Sequence, residues 1–437
     1  MSDKDHKQLT TQVQIRLTTR QQKYRIGAED AVLLMVPTHL RRFNLSEIVN
    51  HLLNNEKKVP FDFIIAGKFL RSSLSEYLEK HSISTENTIE IEYVLSSMPP
   101  KQTSSMDNED WIAAIAGPAL TTSIATACYD GNVRLWSQTG ACIAVLKKHE
   151  RSVKSIAWLS GNSKSSKLIS GGEDQTVFAW EYDSSKKTTR VAFECIGHKG
   201  SVDGLSVNET KTHFASASFD SIVKIWTSST NDDTVHSQQH EQSELASKRK
   251  RLADSEVLLK DCIQNLEAHV GPVTSVAFSK VAGEVNTLFS GGADHSVRIW
   301  NIETGKNLHS MSCEKVVLAI DHSANSNLIV TGHTDNYVRL WDPRDQNGLV
   351  VKMKLVSHKS WVPAVSCSPT SPFALATGSY DSSIKVWDVR STTPLHTLSA
   401  AEDGKKKVLA LVWEDGCLFS GGEEGKLRVH DMQVETE

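Results

Sequence analysis

The chain has 437 residues, and 48 lysines and arginines stand against 52 aspartates and glutamates, which gives a formal net charge of −4. A charge this close to balance does not indicate that the whole surface binds nucleic acid. The polar amino terminus and the lack of an apolar run as long as a membrane span predict neither a signal peptide nor a membrane anchor. The seven cysteines are scattered without a Cys-x-x-Cys pair, which is typical of a reducing compartment and suggests no metal site.

Residues 12–94 have the pattern of a small α+β domain. Alternating apolar residues predict strands, and the amphipathic stretch after Asn44 predicts a helix with Asn44 as N-cap and Glu47 completing a capping box. The predicted elements are, in order, strand 12–19, strand 32–36, the helix after Asn44, strand 61–67, short helix 73–80 and strand 88–94. This is the order of a β-grasp, or ubiquitin-like, domain. No Gly-Gly tail follows it, so we expect a docking module.

Residues 95–109 are rich in Ser, Pro, Lys and Asp, and this composition predicts a flexible linker. From residue 110 to 437 a different unit recurs seven times. It consists of a small hydroxyl residue, an acidic residue four positions later, and usually a tryptophan six positions beyond. The acidic positions lie 44, 46, 74, 41, 46 and 43 residues apart, a period typical of propeller blades. The seven units are Thr126/Asp130/Trp136, Ser170/Asp174/Trp180, Ser216/Asp220/Trp226, Ser290/Asp294/Trp300, Thr331/Asp335/Trp341, Thr377/Asp381/Trp387 and Ser420/Glu424/His430.

Four of the units are preceded by a histidine, 22 to 25 residues before the acid. With that histidine the units resemble WD40 repeats, and the resemblance implies a buried hydrogen-bonded tetrad in each blade. A buried carboxylate needs donors, which imidazole, indole and backbone N–H groups supply. The predicted fold class is therefore mainly β, a seven-bladed WD40 propeller preceded by the ubiquitin-like domain. The predicted tetrads are His149/Ser170/Asp174/Trp180, His198/Ser216/Asp220/Trp226, His269/Ser290/Asp294/Trp300 and His358/Thr377/Asp381/Trp387.

The first, fifth and seventh units depart from this pattern. Units one and five lack the loop histidine, and unit seven has Glu424 and His430 in place of Asp and Trp. The chain ends too soon after His430 for a full outer strand. We therefore expect the segment before Trp111 to close the ring, because closure removes an exposed sheet edge.

The interval between the third and fourth acidic positions is about 30 residues longer than the others. Its excess, at about 228–260, is rich in Ser, Thr, Gln, Asp and Glu and predicts a disordered insert. The insert contains the basic run Lys248, Arg249, Lys250 and Arg251, which either forms a nuclear-import signal or belongs to a merely solvated loop.

The combination of a ubiquitin-like domain and seven WD40 blades resembles the WD-repeat ribosome-biogenesis factors with a Notchless-like amino-terminal domain. The resemblance rests on residues 61–71, 83–94 and 110–112, and on the insert with its basic run. It implies a non-enzymatic assembly factor for the large (60S) ribosomal subunit and pre-rRNA processing, without a cofactor. It also implies a heterotrimer with pescadillo and the block-of-proliferation WD40 protein on the pre-60S particle, in the nucleolus and nucleoplasm.

In that family the ubiquitin-like domain offers an acidic side chain to the metal-ion-dependent adhesion site of midasin, a large AAA ATPase. The matching position here is Glu86, and Mg²⁺ favours oxygen ligands of this kind. The resemblance thus implies that Glu86 binds a magnesium ion held by another protein. Glu79, Glu90 and Glu92 are competing candidates, and Glu86 could also be an ordinary surface acid.

Two other classes of function are compatible with single motifs. The Trp-Asp-x-Arg elements at 341–344 and 387–390 resemble those of cullin ubiquitin ligase receptors, although Trp-Asp ends most blades of this fold. The Ser, His and Asp of the tetrads suggest a hydrolase, but a nucleophile site normally occurs once, not four times.

Overall fold

The structure is a computed structural model, which describes residues 11–26, 32–118, 123–161, 165–229, 257–344, 351–400 and 404–432. The described residues form two compact units, each with its own sheets. Among them, no helix is long and apolar enough to cross a membrane.

The amino-terminal unit is a five-stranded sheet with the strand order β2-β1-β5-β3-β4. Strands β1 and β5 run parallel at its centre, and the other pairs are antiparallel. This order agrees with the predicted ubiquitin-like fold. The elements are β1 (Gln12–Thr18), a 3-10 turn (Gln22–Tyr24), β2 (Val32–Pro37), α1 (Arg42–Leu52), β3 (Phe61–Ile65), β4 (Lys68–Phe69), α2 (Leu74–Lys80) and β5 (Ile89–Leu95).

Helix α1 covers one face of this sheet, where Leu45 and Val49 join the alternating inward residues of β1 in a single core. The predicted helix start at Asn44 is wrong, because α1 begins at Arg42 with Arg41 as N-cap. Asn44 occupies the third helical position, and its Oδ1 accepts a hydrogen bond from the Arg41 N–H at 3.3 Å. The asparagine therefore stabilises the helix start from inside the first turn.

The remaining strands form seven sheets, one for each sequence repeat, so the predicted seven-bladed propeller is confirmed. Within the blades, consecutive strands pair antiparallel, as the turn chemistry of the repeat predicts. Blades one to three are built as follows: blade one from β7 (Ile112–Ala116), β8 (Ser123–Cys128), β9 (Asn132–Ser137) and β10 (Cys142–Lys147); blade two from β11 (Val153–Gly161), β12 (Ser165–Gly172), β13 (Val177–Asp183) and β14 (Thr188–Cys195); and blade three from β15 (Val202–Val207), β16 (His213–Ser218), β17 (Ile222–Thr227) and β19 (Gln264–Glu267). Blades four and five consist of β20 (Val273–Phe278), β21 (Thr287–Gly292), β22 (Ser296–Asn301) and β23 (Lys306–Ser312), and of β24 (Val317–Ser323), β25 (Leu328–His333), β26 (Tyr337–Trp341) and β27 (Val351–Val356). Blades six and seven consist of β28 (Ala364–Cys367), β29 (Ala374–Gly378), β30 (Ser383–Asp388) and β31 (His396–Ser399), and of β32 (Val408–Glu414), β33 (Cys417–Gly422), β34 (Lys426–Asp431) and β6 (Lys101–Asp107).

The ring is closed by β6, which is the outer strand of blade seven and pairs antiparallel with β34. The prediction of a flexible linker over 95–109 is therefore wrong for residues 101–107. The physical reason is that Met106 is 3% exposed and packs in the core with Phe419 and Leu427, while the rest of β6 is polar and faces outward. A single buried side chain and the backbone ladder order a segment whose composition suggests flexibility.

The long interval between blades three and four contains a further strand. Strand β18 (Leu258–Lys260) pairs parallel with β14, so blade two has five strands, and Leu258 packs beside Phe193. The predicted disordered insert at 228–260 is thus wrong at its carboxyl end, where apolar residues complete a sheet. The basic run Lys248–Arg251 lies outside the described residues.

Candidate functional site: an exposed acidic loop and a ring of buried networks

Glu86 lies in the loop that connects α2 to β5, at the end of the sheet where β5 begins. The side chain is exposed, and the Glu86 N–H donates to Ser84 Oγ at 3.2 Å, which shapes the turn locally. Within the described part of the chain, no hydrogen bond or ion pair involves the Glu86 carboxylate. Both of its oxygens are therefore available to an external cation.

The competing acids differ in this respect. Glu90 Oε1 lies 3.4 Å from Arg16 Nη1, and Glu92 Oε1 lies 3.2 Å from Arg20 Nε, so both carboxylates already have a cationic neighbour. Glu79 is exposed but projects from the last turn of a regular helix. Of these four acids, only Glu86 combines an unpaired carboxylate with a position on an exposed loop.

No group of three or more His, Cys, Asp or Glu side chains able to hold a metal ion occurs among the described residues. The chemistry available to Glu86 is therefore that of a single oxygen ligand. Mg²⁺ accepts one or two carboxylates and keeps water or other groups in its remaining positions. A lone carboxylate of this kind suits an ion whose other ligands belong to a second protein.

In the propeller, the structure brings together the residues of the predicted tetrads. In blade three, the Trp226 Nε1–H donates to Ser216 Oγ at 2.8 Å. His198 Nε2 lies 2.7 Å from the same hydroxyl oxygen, and His198 Nδ1 lies 2.8 Å from Asp220 Oδ2. The four side chains thus form a continuous hydrogen-bonded chain from the indole to the carboxylate.

Blade two contains the same chain of contacts. The Trp180 Nε1–H donates to Ser170 Oγ at 2.8 Å, and His149 Nε2 lies 2.8 Å from that oxygen. On the other side of the ring, His149 Nδ1 lies 2.7 Å from Asp174 Oδ2. All four predicted members of this tetrad therefore come together.

Blade four repeats the arrangement. The Trp300 Nε1–H donates to Ser290 Oγ at 2.8 Å, and His269 Nε2 lies 2.7 Å from that oxygen. His269 Nδ1 lies 2.9 Å from Asp294 Oδ2. The geometry of the tetrad is thus conserved across blades two, three and four to within 0.2 Å in each contact.

In blade six, three members of the tetrad are joined in the same way. His358 Nε2 lies 2.7 Å from Thr377 Oγ1, and His358 Nδ1 lies 3.1 Å from Asp381 Oδ2. Trp387 lies on β30 and is fully buried. Its contact with the Thr377 hydroxyl stays a prediction.

The tryptophans of the tetrads belong to the cores of their blades. None of them is more than 3% exposed, and Trp180 and Trp300 pack in the apolar clusters around blades two and four. An indole buried to this extent offers no surface to a ligand or a partner. The role of these side chains is therefore structural, and the four are Trp180, Trp226, Trp300 and Trp387.

The donors and acceptors of the complete tetrads fit a neutral histidine. The indole N–H can only donate, so the serine oxygen accepts it and turns its own hydrogen to His Nε2, which leaves Nδ1–H for the aspartate. Burial lowers the pKa of His198, which also favours the neutral form. Burial alone would raise the pKa of Asp220, but hydrogen bonds from His198 and the Lys199 amide outweigh it and lower the pKa to about 2.

The turn after each acid explains why an acid is required there. The next residue has a positive φ in all seven blades, and in the six blades with an aspartate the carboxylate accepts the N–H of the residue two positions on, at 3.0 Å in the case of Ile222 and Asp220. The aspartate thus closes its own hairpin and anchors the histidine of the preceding loop. The serine hydroxyls of the tetrads are fully buried between indole and imidazole, which gives a substrate no access to them.

Blades one, five and seven hold the turn acid with an arginine instead, two positions before the tryptophan or its replacement. Arg339 contacts Asp335 through two nitrogens at 3.0 and 2.5 Å, Arg134 contacts Asp130 at 2.6 Å, and Arg428 contacts Glu424 at 2.7 Å. The sheet register places each arginine directly opposite the hydroxyl residue, as it also places Arg298 in blade four, and where no loop histidine occupies the acid the arginine contacts it. The missing histidine and the nearby arginine are both visible in the sequence, but only the register connects them.

Two further residues fill histidine positions that the sequence leaves empty. In blade one, Asn108 Oδ1 accepts hydrogen bonds from Thr126 Oγ1 at 3.0 Å and Cys128 Sγ at 3.4 Å, and the Asn108 N–H donates to the Gly425 carbonyl at 2.7 Å. Asn108 lies 22 residues before Asp130, the spacing of the loop histidines. Asn108 therefore joins blades seven and one immediately after the closing strand.

In blade five, His333 takes the corresponding place, and its Nε2 lies 2.7 Å from Thr331 Oγ1.

His333 makes the stability of blade five dependent on pH. Burial, followed by repulsion from Arg339, lowers the pKa of His333 to about 4, whereas an unfolded histidine titrates near 6.5. The unfolded chain therefore takes up this proton first, so the stabilisation is complete above pH 6.5 and is lost as the pH falls towards 4.

We expect this histidine to contribute about 2 kcal/mol to the loss of unfolding free energy between pH 7 and pH 5. Urea unfolding at the two pH values should show a smaller loss for His333→Gln than for the wild type. The exposed His309→Gln is the matched control and should behave as the wild type. An equal loss in His333→Gln and the wild type would contradict the expectation.

Both Trp-Asp-x-Arg elements are satisfied internally. Arg344 Nε and Nη2 lie 2.8 and 2.9 Å from the two carboxylate oxygens of Asp342, and Arg390 contacts Asp388 in the same bidentate manner at 2.9 and 2.6 Å. Such pairs fix the end of a blade strand. Neither element needs a ligase adaptor to explain its sequence.

A channel of about 450 Å³ runs among the innermost strands of the blades. Its charged lining consists of three lysines and three acids, and Lys280 Nζ lies 2.6 Å from Asp321 Oδ1. The balanced lining does not favour a polyanion in the channel. The charged residues that line it are Lys154, Asp203, Lys211, Lys280, Asp321 and Glu414.

The fold and the repeats define a WD-repeat protein with an amino-terminal ubiquitin-like domain. Residues 13–78 match the family model described as the NLE (NUC135) domain, residues 140–181 and 189–227 match the WD domain, G-beta repeat, and residues 272–410 match the amino-terminal domain of nucleolar protein 10-like proteins.

Similarity to individual proteins extends over nearly the whole chain. It is 32% identical to the ribosome biogenesis protein WDR12 homolog of Nematostella vectensis over 95% of this chain and 98% of that protein. It is 31% identical to the ribosome biogenesis protein ytm1 of Schizosaccharomyces pombe, with 96% of each chain covered, and 29% identical to YTM1 of Saccharomyces cerevisiae, with 96% and 97% covered. The chain belongs to the WDR12/YTM1 family of ribosome biogenesis proteins.

Proposed function

We propose that this protein is a non-enzymatic assembly factor for the large ribosomal subunit that acts in pre-rRNA processing. Its propeller scaffolds a heterotrimer with pescadillo and the block-of-proliferation WD40 protein on the pre-60S particle, and its ubiquitin-like domain docks the midasin ATPase. Similarity over nearly the whole chain to ribosome biogenesis proteins supports a role in ribosome assembly. The basic run Lys248–Arg251 supports nuclear import, and we propose the nucleolus and nucleoplasm as the location.

The construction of the ring supports the proposed scaffold role. Seven blades with buried networks and a closing strand form a rigid support, and interaction sites of such rings lie on the surface loops. The tetrads serve this rigidity, since each serine hydroxyl of blades two, three and four is occupied by both indole and imidazole. This occupancy supports a non-enzymatic role over a hydrolase.

The exposed and unpaired carboxylate of Glu86 is the observation that carries the docking proposal. Magnesium held by the adhesion site of midasin would accept this oxygen as one of its ligands. Because Mg²⁺ holds its oxygen ligands at about 2.0–2.1 Å in an octahedral arrangement, such a contact can transmit the pull of a motor to the bound factor. Docking would thus couple ATP hydrolysis in midasin to release of the factor from the particle.

The test compares full-length wild type and Glu86→Gln for binding to the purified midasin adhesion domain in Mg²⁺, with EDTA as the reference. Glutamine keeps the size of the side chain and removes its charge, so we expect an affinity loss of at least tenfold, or about 1.4 kcal/mol. Glu79→Gln is the matched control and should bind as the wild type. Both variants should still co-purify with pescadillo. Equal binding by Glu86→Gln and the wild type would refute the docking role.

A further inference from the structure

Helix α1 covers one face of the sheet of the amino-terminal domain, and the opposite face is exposed along β1 and β2 but buried at Ile64, Phe69 and Val94 of β3, β4 and β5. On the exposed part of that face, Gln14 and Arg16 of β1 and Glu90 of β5 are polar. Those of the edge strand β2 are apolar, since Leu33 is 51% and Met35 is 60% exposed. Single exposed apolar residues are ordinary, but two neighbouring ones on an edge strand offer a partner both apolar area and unpaired backbone groups.

These side chains are continuous with the Glu86 loop. Met35 is the cross-strand partner of Gln14, and Gln14 Oε1 accepts a hydrogen bond from Thr88 Oγ1 at 2.7 Å. Thr88 follows Glu86 by two residues, so Glu86, Thr88, Gln14 and Met35 form one strip across three strands. With strands about 4.8 Å apart and about 3.3 Å per residue, Met35 lies within about 16 Å of Glu86. That span fits within one side of a standard protein interface of about 800 Å².

The charges along this strip select the kind of partner. Leu33 is the cross-strand partner of Arg16, and Arg16 pairs with Glu90, so the second row carries no net charge. Glu86 is therefore the only uncompensated charge of the strip, and it stands at one end, with the apolar side chains at the other. A surface that combines one anion with an apolar patch complements a surface that combines a bound cation with an apolar rim.

We infer that Met35 and Leu33, with Gln14 and Thr88 between them and Glu86, form the second half of the docking surface for the metal-bearing domain that receives Glu86. The inference rests on the proposed function and deepens it. One carboxylate on one ion offers too little area for a specific complex, because association must offset the loss of rotational and translational freedom. The apolar end supplies the missing buried area, and the carboxylate supplies the orientation.

The experiment is calorimetric titration of the full-length chain with the midasin adhesion domain in Mg²⁺ at several temperatures. The double variant Leu33→Ser and Met35→Ser should bind at least fivefold more weakly, with a less negative heat-capacity change, because less apolar surface is buried. Its residual binding should still be abolished by EDTA. Phe43→Ser is the matched control, since Phe43 is 67% exposed but lies on α1, across the sheet, and it should bind as the wild type.

The outcomes separate this inference from the proposed function. If Glu86→Gln loses binding while the double variant matches the wild type in affinity and heat capacity, the apolar half of the surface is refuted and the metal contact stands. If Glu86→Gln itself binds as the wild type, the proposed docking fails. Both serine substitutions replace exposed side chains, so an unchanged thermal midpoint should accompany the weaker binding, and the single variant Met35→Ser should show the same change to a smaller extent.

Discussion

Met106→Asp is expected to open the propeller. Met106 is the one fully buried residue of the closing strand β6, and it packs against Leu427 and Phe419 of blade seven. Removing its thioether leaves a cavity that costs about 2–5 kcal/mol, and a carboxylate placed there adds an unpaired polar group. We therefore expect a loss of unfolding free energy of at least about 3 kcal/mol, together with a larger hydrodynamic radius from the unpaired blade.

The matched control for this change is Ser105→Asp, one position earlier on the same strand. Ser105 is exposed and lies opposite Arg428, so the new charge meets solvent and a cation. Urea unfolding and size-exclusion chromatography should leave Ser105→Asp close to the wild type. A Met106→Asp variant that is as stable and as compact as Ser105→Asp would show that β6 does not hold the ring closed.

The propeller could be predicted from the sequence because its determinants are local and repeated. Each hairpin contains its own acid, and a period near 44 residues leaves few alternative folds. The tetrads could be proposed for the same reason, since a loop histidine precedes the acid at a nearly constant distance in four blades. In the ubiquitin-like domain, the order of strands and helices was equally readable from alternation and amphipathicity.

The features that the sequence did not reveal depend on distant partners. Strand β6 pairs with β34, more than 300 residues away. Six of its seven residues are polar and not buried, so the composition of this segment indicates a linker. Strand β18 likewise becomes a strand only beside β14. Asn108 stands at the spacing of the loop histidines, but its role follows from its contacts with blade one and blade seven, which the sequence alone does not show.

The candidate docking site was predictable only in part. Its position at Glu86 follows from the resemblance to a family, whereas the residues alone left four acids as equals. The structure distinguishes them by their neighbours, since Glu90 and Glu92 have arginine partners through the pairing of β1 with β5 and through Arg20. The adjoining apolar side chains on β2 emerge only when the register places Met35 opposite Gln14.

Arg339→Met is expected to destabilise blade five strongly, because it removes the partner of a mostly buried acid. The Arg339 side chain is 1% exposed and Asp335 is 15% exposed, and the two form a bidentate pair. Methionine retains much of the packing of the arginine stem. Breaking a buried pair by removing one partner costs about 3–5 kcal/mol, since the other charge is left uncompensated. Urea unfolding at pH 7 measures this loss directly.

Arg298 of blade four tests whether the ion pair is the cause of this loss of stability. Arg298 occupies the same position there, but its nearest nitrogen lies 3.9 Å from Asp294, which is already held by His269 at 2.9 Å. Arg298→Met should therefore lose much less stability than Arg339→Met. Adding Asp335→Asn to Arg339→Met removes the stranded charge and should recover part of the loss, which a double-mutant cycle resolves. Equal losses of unfolding free energy in Arg339→Met and Arg298→Met, with no recovery in the double variant, would contradict the ion-pair explanation. The loss in blade five would then come from the packing of the arginine side chain.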